Sequence, residues 1–300
     1  MSLKVAVTGS SGFIGSYFTT NNPEFSLTEM DLLNIRIESV SFAGIDSVLH
    51  LAAIAHQKAK DENIYYTINR DLAYKTALRA KEHGVRQFVF LSTAKVYGEF
   101  SEPGKPFDES SDCNPKDAYA KSKFEAEKLI KSLDDDTFKV AIIRSPLVYG
   151  RGVKANMFNL IKLVDRCPVL PFGGINNKRS LVYIGNLNHL INLIILKKAS
   201  GVFLPKDQEN LSIAELCLYI ADGLNKKLKI IQIPSLLFRL AKNLRPSLFY
   251  KLFGSFEIDN SQTHQIINII PPYNTKDGIK KMTEWYCTIN TKIIKTETNA

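Results

Sequence analysis

The chain has 300 residues, 45% of them hydrophobic, enough apolar material for one large core or two smaller ones. Its formal net charge of +9 suits anionic ligands, but arginine-rich tracts and aromatic–basic interleaving are missing, which argues against a nucleic-acid partner. Four scattered cysteines (Cys113, Cys167, Cys217, Cys287) form no C-x-x-C pair, and the five histidines have no ligand spacing, so a reducing, cytoplasmic setting and no metal centre are expected. No apolar run approaches the ~20 residues that cross a bilayer, and a first strand beginning at Lys4 leaves no room for an apolar leader.

A β-branched run, Val5 and Val7, predicts a strand that stops at Thr8, and Gly9, Gly12 and Gly15 follow it. A strand entering a glycine-rich turn that opens a helix suits a dinucleotide. The first glycine permits the turn, the second lets a pyrophosphate approach the backbone, and the third lets helix and strand pack closely. Asp31 follows at a distance that fits either a ribose 2′-hydroxyl or adenine. The stretch from Thr19 to Asp31 is too short for a full strand, helix and further strand. NAD and NADP both stay open, with Arg36 the nearest guanidinium for a 2′-phosphate.

Ser47–Ala53 reads as a buried strand in which His50 is a packed residue. Asn63–His83 reads as a helix closed by Gly84, Phe88–Ser92 as a strand, Ala118–Leu133 as a helix and Lys139–Arg144 as a strand. This rhythm predicts an α/β fold with a doubly wound parallel sheet, its crevice beyond the carboxyl ends of the strands. After Gly150 the pattern loosens into loops around 168–177 and helices at Asn186–Lys198 and Ser212–Leu224. The expected division is 1–150, with segments near 179–198 returning to it, then 151–287 as a smaller mixed α/β unit. The aperiodic, polar residues 288–300 are expected to be a mobile tail. Ser235–Gly254, apolar and basic, is read as two amphipathic helices split by Pro246 rather than as a membrane contact.

Tyr119 and Lys123 stand four apart and so share a helix face. Such pairs arise readily by chance, and the context is what gives this one weight. Strand Phe88–Ser92 ends in Ser92-Thr93-Ala94-Lys95-Val96-Tyr97-Gly98, which puts hydroxyls at a strand's carboxyl end. A phenol with a reference pKa near ~10 is a poor base at neutral pH. A lysine cation and an oxidised nicotinamide would both lower it, while Thr93 holds the reacting oxygen in line.

With TGSSGFIG at the start, HLAA at 50–53, ST-x-x-VYG at 92–98, YAKSK at 119–123, RSPLVYG at 144–150, RSLVYIGNL at 179–187 and PPYNTKDGIKKMTEWY near the end, the chain resembles the extended short-chain dehydrogenase/reductase family. The resemblance is to nucleotide-sugar enzymes of the UDP-glucose 4-epimerase type and spans nearly the whole chain. It implies a Rossmann-type sheet with a smaller substrate-binding domain, an NAD or NADP cofactor, a UDP-sugar substrate and a homodimer built on the helices at 63–83 and 118–133. It further implies that Tyr119 moves the proton of the sugar O4, Lys123 anchors the nicotinamide ribose and Thr93 assists at O4. Cofactor contacts would come from Gly9, Gly12, Phe13, Ile14, Gly15, Asp31, Leu51, Ala52, Ala53, Ser92, Tyr119, Lys123 and Pro146. Substrate contacts would come from Thr93 at O4, from Lys95, from Asn156 and Arg179 at the phosphates, and from Phe172 at the base.

Sugar-nucleotide 4,6-dehydratases resembling this chain carry Asp-Glu directly after the threonine, and UDP-glucuronate decarboxylases carry Glu where Lys95 stands. Here those positions are Ala94 and Lys95. What remains is redox chemistry at C4 of a UDP-hexose or UDP-N-acetylhexosamine. Lys95-Val96-x-Gly98-Glu99, with NKRSLVYIGNL at 177–187 and LFGSFEID at 252–259, most resembles UDP-4-keto-6-deoxy-sugar reductases of polysaccharide precursor synthesis, and this is the reaction expected. Tyr97 leans back towards a UDP-glucose or UDP-N-acetylglucosamine 4-epimerase. A non-catalytic NAD(P)-binding sensor is the alternative of another class, disfavoured by the intact Tyr/Lys pair.

Overall fold

A computed structural model describes residues 2–32, 35–55, 61–102, 104–232, 243–244, 249–250 and 253–297, with side chains to residue 289. Strand β1 (Lys4–Thr8), helix α1 (Phe13–Asn21) and strand β2 (Ser26–Met30) open the chain, followed by β3 (Ser47–His50). Helix α2 runs through Asn63–Tyr65, a π-helical stretch Tyr66–Leu72 and Ala73–Glu82. Then come β4 (Gln87–Thr93), α3 (Ala118–Lys131), β5 (Lys139–Ser145), β6 (Leu147–Tyr149), α4 (Ala155–Arg166), β7 (Val169–Gly173) and β8 (Arg179–Tyr183). The remaining elements are α5 (Ile184–Lys197), β9 (Gly201–Phe203), β10 (Asn210–Leu211), α6 (Ile213–Gly223), β11 (Lys229–Gln232), α7 (Ser261–Ile267) and α8 (Thr275–Glu297).

Six strands pair in the order β2-β1-β3-β4-β5-β9, every pairing parallel. Helices cover both faces of such a sheet, so its strands are nearly continuous apolar runs. Alternate residues sort to the two sides. Val5, Val7, Leu49, Val89 and Ile143 pack with Leu187, Leu190, Ile191 and Ile194 of α5. Ala6, Val48, Phe88, Phe90 and Ile142 pack with Ala73, Ala77 and Ala80 of α2 and Ala126 and Ile130 of α3. Returning to the sheet are α5 and β9, while β8 pairs instead with β6 and β10 in a three-stranded sheet. Strands β7 and β11 make a small pair of their own. Tyr149, Met157, Ile161, Leu181, Leu216, Ile220, Ile279 and Met282 form the core that α4, α6 and α8 share.

The stretch from Thr19 to Asp31 holds the end of α1 and one strand, β2, after a four-residue turn, which agrees with its being too short for a strand, helix and further strand. Other expectations need correcting. Strand β3 ends at His50, so Leu51, Ala52 and Ala53 lie in the loop after it. The backbone from Thr288 is helical rather than irregular: α8 continues to Glu297. Most of 235–254 lies outside the described residues. Among the described residues no helix is long and apolar enough to cross a membrane.

Candidate active site

The crevice opens where β1 has β2 on one side and β3 on the other, with Thr8 opposite Met30 and His50. Gly9 has φ +70°, and a Cβ there would lie 2.6 Å from the Ala52 nitrogen. On Gly15 a Cβ would lie 2.2 Å from the Gly9 carbonyl oxygen. Neither position accommodates another residue without moving backbone. The turn therefore presses against Leu51 and Ala52, and Gly12, in extended conformation, starts α1 with no side chain capping the first turn. Those free N–H groups are the donors a pyrophosphate uses. Phe13 and Ile14 are half-buried against the cores behind the turn. Asp31 follows the end of β2 directly, on the side of β1 away from β3. Arg36 is exposed in the next loop.

At the crevice floor, the Thr8 hydroxyl meets His50 Nδ1 at 3.0 Å and accepts from the Ala52 N–H at 3.3 Å. His50 is completely buried beside Phe88 and Phe90, as read, and its Nε2 has no hydrogen-bond partner. Burial above all, with the nearby Lys123 charge, pushes His50 down to about 3, so the ring is neutral.

Strand β4 ends at Thr93, whose hydroxyl accepts from the Lys95 N–H at 3.3 Å and caps a short turn over Ala94–Val96. Asp117 caps α3 in the same manner, accepting from the Ala120 N–H at 2.7 Å. These two caps place Thr93 and Tyr119 close to each other, near enough for the Thr93 hydroxyl to exert a lowering pull on the Tyr119 phenol. Burial pushes the Tyr119 phenol up to about 12, outweighing the lowering pull of Thr93. Lys123 is not among the groups that lower it here. The anticipated low phenol is absent because desolvation dominates.

Lys123 is 2% exposed, and its ammonium sits 4.0 Å above the centre of the Phe90 ring. It has no hydrogen bond or ion pair among the described residues. A buried ammonium with three unused donors, next to an orphaned His50 Nε2, fits a polar ligand entering this crevice. The glycine cradle, the uncapped α1 terminus and Lys123 together fit a dinucleotide.

Other residues predicted for the site are placed more variously. Lys95 is ion-paired with Asp117, both half-exposed. Tyr97 points into the interior, 3% exposed, stacked on Phe107 with ring centres 5.1 Å apart. Pro146 lies between β5 and β6, and Ser92 is buried and donates to Glu127. Arg179 donates to the Gly254 carbonyl at 3.0 Å, and Phe172 packs edge-on to Phe253 at 6.2 Å, so both meet the segment around 250–254. Asn156 is exposed in the first turn of α4, right after Ala155, a non-glycine residue held at φ +54°.

Asn69 was missed. It lies in the π-helical stretch, fully buried, and pairs with both Ile54 backbone groups (2.9 and 3.1 Å) and the Ser122 hydroxyl (3.2 Å). It thereby ties the loop after β3 to the helix that carries Tyr119 and Lys123. Glu127 was missed as well, although its place four residues beyond Lys123 was the available signal.

Residues 5–203 match the NAD dependent epimerase/dehydratase family. The chain belongs to that family. Among curated members, the UDP-glucose 4-epimerase of Vibrio cholerae is 32% identical, over 97% of this chain and 98% of its own. The N-acetyl-alpha-D-glucosaminyl-diphospho-ditrans,octacis-undecaprenol 4-epimerase of Escherichia coli O157:H7 is 25% identical, over 78% and 76%. The crystal structure of a UDP-glucuronic acid 4-epimerase from Bacillus cereus in complex with NAD superposes with a TM-score of 0.75, at 20% identity, covering 96% of this chain and 99% of that one. It shares the fold. As a member of the NAD dependent epimerase/dehydratase family, the chain is an NAD-dependent enzyme whose Gly9–Gly15 turn falls within the matched region.

Proposed function

We propose that this protein performs redox chemistry at C4 of a UDP-hexose or UDP-N-acetylhexosamine, with 4-epimerisation as the leading reaction. The observation that carries the reading is the nearness of the Thr93 and Tyr119 side chains, with Ala94 and Lys95 following Thr93 in place of two carboxylates. Elimination across C5 and C6 needs an acid and a base there. Asp117, the nearby carboxylate, is already engaged as a helix cap and by Lys95. A hydroxyl pair without such a partner suits moving one proton at O4, in either direction. Bound nicotinamide would supply the hydride acceptor and donor. Within the chain, Thr93 would orient O4, Tyr119 would carry its proton, and Lys123 would donate to the nicotinamide ribose.

Gly9, Gly12, Phe13, Ile14 and Gly15 would hold the pyrophosphate, Asp31 a ribose hydroxyl, and Leu51, Ala52, Ala53, Ser92 and Pro146 the cofactor's flank. Residues 151–287 would bind the nucleotide sugar through Asn156, Phe172 and Arg179. Strain at Ala155 supports Asn156, because such conformations persist where a site needs them. Epimerisation leads because the curated relatives above are 4-epimerases. The 4-keto-6-deoxy-sugar reductase remains the second reading on the Lys95–Glu99 element.

An epimerase keeps its cofactor through many turnovers, whereas a reductase must exchange it each cycle. Purified protein is expected to carry NAD and to interconvert UDP-glucose and UDP-galactose, or their N-acetyl forms, without added reductant. Stoichiometric NAD(P)H oxidation with a UDP-4-keto-6-deoxy-N-acetylhexosamine would decide for the reductase. Cofactor and UDP-sugar binding without turnover would point to a sensor.

Ile64 and Leu78 of α2 and Leu129 of α3 are large apolar residues left more than a third exposed. Pairing these helices with those of a second copy would cover them. Light scattering at micromolar concentration is expected to give the mass of a dimer, and a monomer would refute the pairing.

A further inference from the structure

Glu127 is 3% exposed and lies one helical turn beyond Lys123 on α3, so the two residues share a face. Its Oε2 accepts from Arg144 Nε at 3.0 Å and Nη2 at 2.8 Å, and its Oε1 accepts from the Ser92 hydroxyl. Arg144 is itself buried and lies 4.8 Å over the Tyr97 ring. A buried ion pair is weak evidence for stability, because desolvating both charges consumes most of their attraction. Its position gives it another use. Lys123, Glu127 and Arg144 form a buried row of alternating sign, and Arg144 is satisfied within it while Lys123 is not.

We propose that Glu127 is a positioning residue of the candidate active site: anchored by Arg144 and Ser92, it supplies the counter-charge that keeps Lys123 a cation in a buried crevice. This rests on the C4 reading above only for its consequence in turnover. Facing Lys123 are His50 from β3, which is neutral, the Phe90 ring from β4, and, one turn before and one turn after it on its own helix, the Tyr119 phenol and Glu127. Facing Glu127 are Lys123, Ser92 from β4, Arg144 from β5, and Tyr97 and Cys113 from the loops before α3. On α2, Arg70 is taken by Asp71 and Glu125. Burial pushes Lys123 down from 10.5 to about 7, and Glu127 is the charge that pulls it back up. Without that carboxylate, desolvation and the bare Arg144 cation would both oppose the ammonium. Lys123 would then be neutral at pH 7, a poorer anchor for a ribose and of no help to a phenolate.

The test is a titration of Lys123 by NMR in lysine-labelled full-length protein, its signal assigned by its loss in Lys123→Met. Glu127→Gln keeps an acceptor for Ser92 and is expected to lower the midpoint by about one pH unit or more. Arg144→Gln leaves Glu127 less neutralised and is expected to raise it. The two shifts have opposite signs, so either variant that folds is decisive by itself. A midpoint unmoved by Glu127→Gln, or one that Arg144→Gln leaves in place or lowers, overturns the proposal. Turnover of Glu127→Gln should lose its alkaline limb at a lower pH than wild type, a displacement that a merely loosened core would not produce. The lysine titration does not depend on the sugar. If wild type turned over no UDP-sugar while the midpoints still moved, the C4 reading would fail and the role of Glu127 towards Lys123 would stand.

Discussion

Replacing Lys123 by Met is expected to make the protein more stable and nearly inactive. The folded protein lowers the ammonium from 10.5 to about 7, mainly through burial. A cation whose pKa is depressed by folding destabilises the fold below its unfolded pKa. The penalty is complete below about pH 7 and vanishes as pH rises towards 10.5. Met fills the same space without a charge, so it should gain roughly 3–5 kcal/mol at pH 6–7. In a chain of this size that is a rise in Tm of about 5 °C or more. Scanning calorimetry should find the gain shrinking as pH is raised to 10. Turnover should fall at least about 100-fold, and NAD should bind more weakly. A less stable variant would mean that Lys123 is better satisfied in the fold than its missing partners indicate.

Tyr119→Phe should give the opposite combination, with chemistry lost and binding kept. The ring keeps its packing beside Tyr65, and only the hydroxyl near Thr93 is removed. Turnover is expected to drop at least about 100-fold, the lower end for losing general acid–base help. Stability should change by only about 1 kcal/mol, the worth of one hydrogen bond. Cofactor affinity by calorimetry should be close to wild type. Near-normal turnover in this variant would remove Tyr119 from the chemistry.

The elements that sequence patterning located well are those whose surroundings repeat. Strands β3, β4 and β5 are buried on both faces and read as apolar runs, and α6 begins at Ser212 in a capping box with Glu215. The glycine turn was legible because Gly9 and Gly15 each exclude a Cβ for a local reason and Gly12 leaves little room for one. Less legible were features set by distant partners. Met30 is half-buried at the edge of the sheet, so β2 carries little apolar signal. Asn69 looks like any polar residue on a helix until its partners at Ile54 and Ser122 are known. The lowering of Tyr119 was expected from its lysine and an oxidised nicotinamide together; within the chain itself, burial raises the phenol and is the larger effect.

The seven π-helical residues Tyr66–Leu72 set a limit on how this helix can vary in length. A wide turn of this sort stores one residue more than a regular ladder would hold. Deleting one residue there would give α2 a more regular ladder and, by helix propensity alone, a better helix. It would also rotate everything on one side of the deletion by roughly 100° about the axis. Asn69 would then turn away from Ile54 and Ser122, and the loop after β3 would lose its tie to the helix of Tyr119. The segment is therefore a place where a shorter and more ideal chain would be the poorer enzyme.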